Sequence, residues 1–269
     1  MSWIRFNLTI LILEAKLKGK TEQYASIDEA IRTALFYRNK ALRYWMDNEK
    51  VNGYDLNKQM AVLAKEFDFA KKLGSQARQS GSERAWSSIS RFYDNCKKKT
   101  SGKTCAERSR SKGFPKFKKR GNSVEYKQAG WKLSEDRKYL TLTDGFKIGR
   151  LKLVGSRDLN FYQIEQIKRV RLVRRADGYY AQFCIEVDRR EELESSRKTI
   201  GLDVGLNHFY TDSNGQTVEN PRYLRNSERK LKKLQRKVSK RKKGSANRRK
   251  ANKRLARKHL QVFVGNQVV

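Results

Sequence analysis

Asp203 stands in Thr199-Ile200-Gly201-Leu202-Asp203-Val204-Gly205-Leu206, a run that is otherwise apolar or small apart from its leading threonine. A carboxylate placed among apolar neighbours is costly unless a cation or a hydrogen bond satisfies it. A hard divalent cation such as Mg²⁺ is one such partner. With further carboxylates, metal ions of this kind position and activate water at a phosphodiester. The competing reading is a turn aspartate in a tight hairpin between Gly201 and Gly205. One carboxylate cannot hold catalytic metals, and the later acids, Asp212, Glu219 and Glu228, sit in no comparable apolar strand.

The second feature with chemical content is charge. From Arg222 to Lys258 there are 19 Lys or Arg and a single acid, Glu228. The acids that would form i,i+4 pairs are missing, so a helix built from this stretch repels itself until a polyanion lies against it. The candidate phosphate contacts are Arg229, Lys232, Lys233, Arg236 and Lys237, then Lys240, Arg241, Lys242 and Lys243, then Arg248, Arg249, Lys253 and Arg254. Upstream, Gly113-Phe114-Pro115-Lys116-Phe117-Lys118-Lys119 contributes Lys116, Lys118 and Lys119. Phe114, Phe117 and Trp131 are aromatics near cations, which either stack on unpaired bases or belong to the core. Both readings stand at this point.

The composition says the same on a larger scale. Among 269 residues there are 63 Lys+Arg and 28 Asp+Glu, a formal net charge of +35. Self-repulsion of that size opposes a compact state, and phosphate backbones relieve it by counterion release. No apolar stretch approaches the length needed to cross a bilayer. The short apolar run Leu8, Ile10, Leu11, Ile12 and Leu13 reads as a first strand rather than a leader, because Glu14 and Lys16 interrupt it. Cys96, Cys105 and Cys184 form no CxxC pair, so neither a disulfide framework nor a zinc knuckle is expected, and the simplest compartment is a reducing cytoplasm. Two histidines far apart and no Gly-rich phosphate loop exclude a triad hydrolase and a P-loop ATPase.

Several elements must position these residues. Residues 1–20 read as an opening strand. Ser26-Ile27-Asp28-Glu29 has the form of a capping box, followed by Ile27, Ile31, Leu35, Leu42 and Trp45 on one helical face. Leu56, Met60, Leu63 and Phe67 mark a second helix, and Ala85, Ile89, Phe92 and Cys96 a third, with Ser82 as its cap. Short β-like runs come next at Val124–Lys127, Tyr139–Thr143 and Phe146–Leu153. The clearest hairpin sets Ile167–Arg174 against Tyr179–Val187 across Ala176-Asp177-Gly178. It directs Ala181, Phe183, Ile185 and Val187 to the core, and Lys168, Arg169, Arg171, Arg174 and Arg175 to an exposed basic face, on which Arg169 and Arg171 are further candidate nucleic-acid contacts. An acidic-basic connector, Arg189–Lys198, precedes the Asp203 run. His208–Thr211 reads as a strand, Asp212-Ser213-Asn214-Gly215 as a turn. Leu224, Leu231, Leu234 and Val238 form a coiled-coil-like seam, and beyond Gly244-Ser245 the residues Ala251, Leu255 and Ala256 indicate an antiparallel return helix.

Thr199–Tyr210, Asp212–Gly215, Glu219-Asn220-Pro221-Arg222-Tyr223-Leu224, Leu231–Lys243 and Gly244-Ser245-Ala246-Asn247-Arg248-Arg249 together resemble the TnpB (OrfB) transposon-associated proteins, relatives of the type V CRISPR effectors. The Gly113–Lys118 stretch and the Asp177-Gly178-Tyr179-Tyr180 turn share the likeness. The resemblance implies an α+β fold. Residues 1–20 plus 110–195 would form a wedge-like β-barrel, 21–109 an inserted helical recognition unit, and 196–269 the incomplete start of an RNase H-like (RuvC) nuclease domain with a basic helical hairpin. It further implies a guide RNA from the transposon end, a double-stranded DNA target, Mg²⁺ at the nuclease site, and a cytoplasmic, nucleoid-associated protein. Asp203 matches the family's first catalytic aspartate. The later glutamate, the zinc ribbon and the final aspartate have no counterpart before the chain ends, so cleavage by this chain alone is not expected. The likeness stops near His259-Leu260, which suggests a frameshift or premature stop in a decaying element.

Overall fold

The computed structural model describes residues 8–97, 113–155, 158–188 and 199–265. Cys105, the basic residues between 98 and 112, and the connector Arg189–Lys198 lie outside them. The chain divides into two compact units, Met1–Arg189 and Arg190–Val269.

In the first unit, strand β1 (Leu8–Lys18) leads into helices α1 (Thr21–Asp47), α2 (Gly53–Glu66), the one-turn α3 (Asp68–Lys71) and α4 (Ser75–Lys97). The expected start of α1 at the Ser26 capping box is displaced upstream to Thr21. Gln23 takes over the capping role: its Oε1 accepts the Lys20 amide at 2.9 Å while its Nε2 donates to the carbonyls of Ile148 and Arg150 at 2.7 and 3.1 Å. Tyr24 accepts from the Gly19 amide and donates to the Leu17 carbonyl. Orphan donors at the helix start are thus met by groups that also tie it to a distant strand. Asn52 caps α2 by accepting from the amides of Tyr54 and Asp55. Ser82, expected as a cap, lies inside α4 instead, buried, with its hydroxyl donating to the Gln79 carbonyl. Gly81 lets α4 approach α1 closely, since a Cβ there would meet Tyr37 Cβ at 3.0 Å.

Seven strands form one sheet in the order β2-β6-β7-β1-β5-β4-β3: β2 (Ser123–Lys127), β3 (Trp131–Leu133), β4 (Tyr139–Leu142), β5 (Arg150–Val154), β6 (Ile167–Arg175) and β7 (Gly178–Asp188) join β1. The two edge strands, β2 and β3, are consecutive in the chain, separated only by Gln128–Gly130. The four residue steps from Lys127 to Trp131 span at most about 14 Å. A flat seven-stranded sheet would set its edges about 29 Å apart, at roughly 4.8 Å per strand spacing. The sheet therefore curls until its edges nearly meet, as a barrel would require, although the strand ladder itself ends at β2 and β3. The strand expected at Phe146–Leu153 begins only at Arg150, because Lys147 and Gly149 take positive φ (50° and 75°) and turn the chain, leaving Phe146 and Ile148 as buried plugs. The β6–β7 hairpin forms as its sequence indicates, with Arg175 opposite Gly178.

Helices and sheet share one core, in which Ile27, Tyr37, Leu42 and Ile89 join Val124, Tyr126, Leu140, Phe183 and Ile185. Trp131 is buried at 7% exposure and belongs to this core rather than to a stacking surface. Glu125 of β2, only 4% exposed, receives Arg171 at 2.7 Å, Arg169 at 2.9 Å and, from α4, Arg84 at 3.5 Å. Burial pushes the Glu125 carboxyl up, but hydrogen bonds and charge from Arg171, the Arg169 hydrogen bond and the charge of Arg84 outweigh it and hold it below its ordinary value.

The second unit holds a three-stranded antiparallel sheet, β10 (Thr217–Glu219), β9 (His208–Asp212) and β8 (Leu202–Asp203), with helices α5 (Tyr223–Ser239) and α6 (Ala246–Gly265) after it in the chain.

Glu125→Gln should lower stability by about 2–3 kcal/mol. That is less than the about 3–5 for a fully buried pair, since the arginines are a third to a half exposed. Because the folded-state pKa lies below the unfolded value near 4.5, the carboxylate's contribution is complete above that pH and is lost as pH falls through the depressed value. Urea melts of both proteins at pH 7 and below pH 4 check this, the difference between them closing in acid.

Candidate nucleic-acid interface

The hairpin of α5 and α6 is built on a narrow apolar seam. Leu231 and Ala251 are buried and Leu234, Val238 and Leu255 half-buried. The seven-residue step from Leu231 to Val238 keeps the seam on one face of α5. The Lys240–Ser245 connection is short enough to force an antiparallel return; Gly244 supplies its left-handed backbone (φ 87°). Ser245 caps α6, its hydroxyl accepting the Arg248 amide at 3.1 Å, while Arg248 donates to the Arg241 carbonyl at 2.8 Å.

With so little of each helix turned inward, the cations face water. Arg229, Lys232, Lys233, Arg236 and Lys237 are exposed, as are Lys240 through Lys243 and Arg249, Lys253 and Arg254; Arg248 is half-buried. Among the described residues the hairpin has one ion pair, Glu228 with Lys232 at 2.6 Å, and the Lys232 hydrogen bond and charge hold the Glu228 carboxyl below its ordinary value. Arg248 and Arg249 also stand in the first turn of α6, where the helix dipole favours anions. A phosphate chain alongside would relieve both conflicts.

The basic face expected on the β6–β7 hairpin has a different character. Each of its five cations has a carboxylate: Lys168 pairs with Glu186 at 3.2 Å, Arg169 and Arg171 with Glu125, Arg174 with Asp28 at 3.0 Å, and Arg175 with Glu14 at 2.6 Å. These charges hold strands and helices to one another. Their carboxylates come from β1, α1, β2 and β7, and no local pattern in the β6 sequence announces them. The loop cations Lys116, Lys118 and Lys119 are exposed and take part in no ion pair among the described residues.

Asp203 occupies the second position of a two-residue strand, opposite Thr211 of β9. It is exposed, and its neighbours Leu202, Val204 and Leu206 are 58%, 72% and 88% exposed. Burial therefore places no demand for a counter-ion on this lone carboxylate within its unit. Asp212, which stands opposite Leu202 in the sheet, spends its Oδ1 on the amides of Asn214 and Gln216 at 2.9 and 2.8 Å, closing the turn expected at Asp212–Gly215. Among the described residues no three His, Cys, Asp or Glu side chains come together as metal ligands. Asp203 thus does not fit a magnesium centre unaided. None of the described helices is long and apolar enough to cross a membrane.

Comparison with known proteins connects the chain to a family and to curated relatives. Residues 182–263, from within β7 to near the end of α6, match the family OrfB_IS605, described as "Probable transposase". Over 147 residues, 54% of the chain, the sequence is 27% identical to "Putative RNA-guided DNA endonuclease InsQ" of Escherichia coli (strain K12), covering 35% of that protein. Over 88 residues, 33% of the chain, it is 28% identical to "Putative RNA-guided DNA endonuclease" of Streptomyces pristinaespiralis, covering 22% of it. The aligned stretches span about a third or less of the length of these curated relatives.

Replacing Arg229, Lys233, Arg236 and Lys237 together by Gln should leave the melting temperature unchanged within a few degrees. It should also weaken binding to a 30-base-pair duplex and flatten the slope of log K against log salt by about three to four, since each lost phosphate contact removes about one. Anisotropy titrations across salt concentrations read this out.

Proposed function

We propose that this OrfB (TnpB)-type chain binds nucleic acid through the α5–α6 hairpin, holding a guide RNA and engaging double-stranded DNA; the names of its relatives speak, for those proteins, of RNA-guided action on DNA. The observation that carries this reading is a helical hairpin with 19 Lys or Arg against one acid, whose candidate contact cations are exposed almost without exception and nearly unpaired. Charge arranged in this way is self-repelling by itself and becomes favourable beside a phosphate chain. In this reading residues 196–269 are the opening part of a RuvC-like domain, 1–20 plus 110–195 a wedge, and 21–109 a recognition unit. The protein would act at the nucleoid in the cytoplasm.

Asp203 is the residue proposed to serve as a nuclease carboxylate, in a centre that other carboxylates would have to complete. The chain itself is a binding protein in this proposal. Purified with Mg²⁺ and a candidate transposon-end RNA, it is expected to retain that RNA and to cut no duplex DNA. Guide-dependent cleavage by the polypeptide alone would overturn the proposal, and sequencing of co-purified RNA separates a selective binder or regulator from an indiscriminate one.

A second reading, one half of a split nuclease, is favoured by the exposed Ile200, Leu202, Val204 and Leu206 around β8, a set of apolar side chains that further polypeptide would cover. Co-expression with the downstream open reading frame tests it. Recovery of a stable complex with Mg²⁺-dependent cleavage, abolished by Asp203→Asn, is the outcome expected on that reading.

A further inference from the structure

Residues Lys116-Phe117-Lys118-Lys119-Arg120 form a cationic strip around one exposed aromatic ring, and the chain that carries it is clamped. Arg38 of α1, itself 6% exposed, donates to the Lys116 carbonyl at 2.9 Å. Asn39 takes both backbone groups of Lys118, donating to its carbonyl at 2.8 Å and accepting its amide at 3.1 Å. Carbonyls of alternate residues facing the same side are the mark of an extended chain. Arg38 and Asn39 therefore hold the strip as a neighbouring strand would, and fix its course without burying it.

Two phenylalanines three residues apart divide the work. Phe114, although 49% exposed, packs one side of its ring against Trp45 and Phe92, with ring centroids at 5.8 and 5.2 Å, and anchors the segment. Phe117 is 47% exposed and takes part in no ring contact among the described residues. Lys116, Lys118, Lys119 and Arg120 are exposed, and none has a carboxylate partner among the described residues, in contrast to the five paired cations of β6. Burial, and with it the charge of the nearby Arg38 and Arg84 guanidinium groups, holds the Lys118 ammonium below the usual lysine range. A ring free to stack, fixed backbone beneath it and unneutralised cations on both sides are the parts of a stacking platform for single strands.

We propose that Lys116–Arg120 is a docking strip for an unpaired nucleic-acid strand, with Phe117 as the ring on which a base stacks. This rests on the nucleic-acid reading above and adds to it a second contact, in the first unit, that discriminates unpaired from paired polymer. A duplex presents its bases already stacked, so the ring has nothing to gain from one, whereas an open strand offers a free face of any base.

The test uses the full chain and four fluorescein-labelled probes of about 12 nucleotides, within the site sizes of single-strand binders: single-stranded RNA, single-stranded DNA, a DNA duplex, and a single strand with abasic positions. Phe117→Ala is expected to weaken binding to the better of the two single strands about 5- to 100-fold, to leave duplex and abasic binding within twofold, and to be reversed by Phe117→Trp. The RNA and DNA arms identify which polymer supplies the strand. Asn39→Ala, which keeps the ring but loosens the strip, should lose part of the same preference. Equal single-strand binding by wild type and Phe117→Ala would overturn the proposal while leaving the hairpin reading intact, as would an equal loss on the abasic probe. Failure of the wild type to bind any probe at low salt would overturn both.

Discussion

Glu125 is the point on which the first unit turns. A carboxylate almost withdrawn from water is tolerable only because Arg169, Arg171 and Arg84 surround it, and those three come from two places: β6, beside it in the sheet, and α4, from the helical segment packed on it. The interaction therefore holds a helix to a strand, and its geometry leaves little freedom in how α4 sits on the sheet. The far side of the sheet depends on the same placement. Tyr126, next to Glu125, hydrogen-bonds Asp144 at 2.6 Å, and the Gly145 amide donates to the Lys72 carbonyl at 2.8 Å, so the β4–β5 turn is held to both β2 and the helices. The curl of the sheet and the seat of the helices are one problem solved together.

Positive charge has opposite meanings in the two units. On β6 every candidate cation has a carboxylate drawn from another element, and the charge is spent on cohesion. On α5 and α6 the cations have one acid among them and project from a seam only a few apolar residues wide. Counting charges over the whole chain merges these two populations. Distinguishing them requires the fold, because a counter-ion that lies 44 residues away, as Glu125 does from Arg169, leaves no trace in the local pattern. The loop around Phe117 belongs with the second population although it sits in the first unit.

Where the local chain decides the outcome, the sequence is readable. The Asp-Gly turn, the alternation of Ala181, Phe183 and Ile185, the Asp212–Gly215 turn and the seam of Leu231 and Ala251 are all met as expected, since each depends on residues within one hairpin. The start of α1 is not, because Ser26 competes with Gln23, whose partners lie about 125 residues away at Ile148 and Arg150. Ser82 fails as a cap for a similar reason, being drawn into the contact between α4 and α2. Trp131 and Phe117 look alike in sequence, both aromatic and both near lysines. Only the packing sends one to the core and leaves the other on the surface. Asp203 is the hardest case: its apolar neighbours suggest burial, but burial of a strand is a property of what covers it, and within its unit that strand is uncovered.

The place of β1 in the sheet has a consequence for how the protein comes into being. The first strand of the chain is hydrogen-bonded between β7 and β5, with Leu8 opposite Asp188 and Lys16 opposite Val154. During synthesis it emerges long before either neighbour, and its apolar residues must wait for roughly 170 later residues to leave the ribosome. In that interval the helices α1 to α4, which need only one another for much of their packing, can assemble next to it. A nascent chain of this design carries an unpaired strand through most of its translation, and its yield should be sensitive to chaperones that shelter such segments.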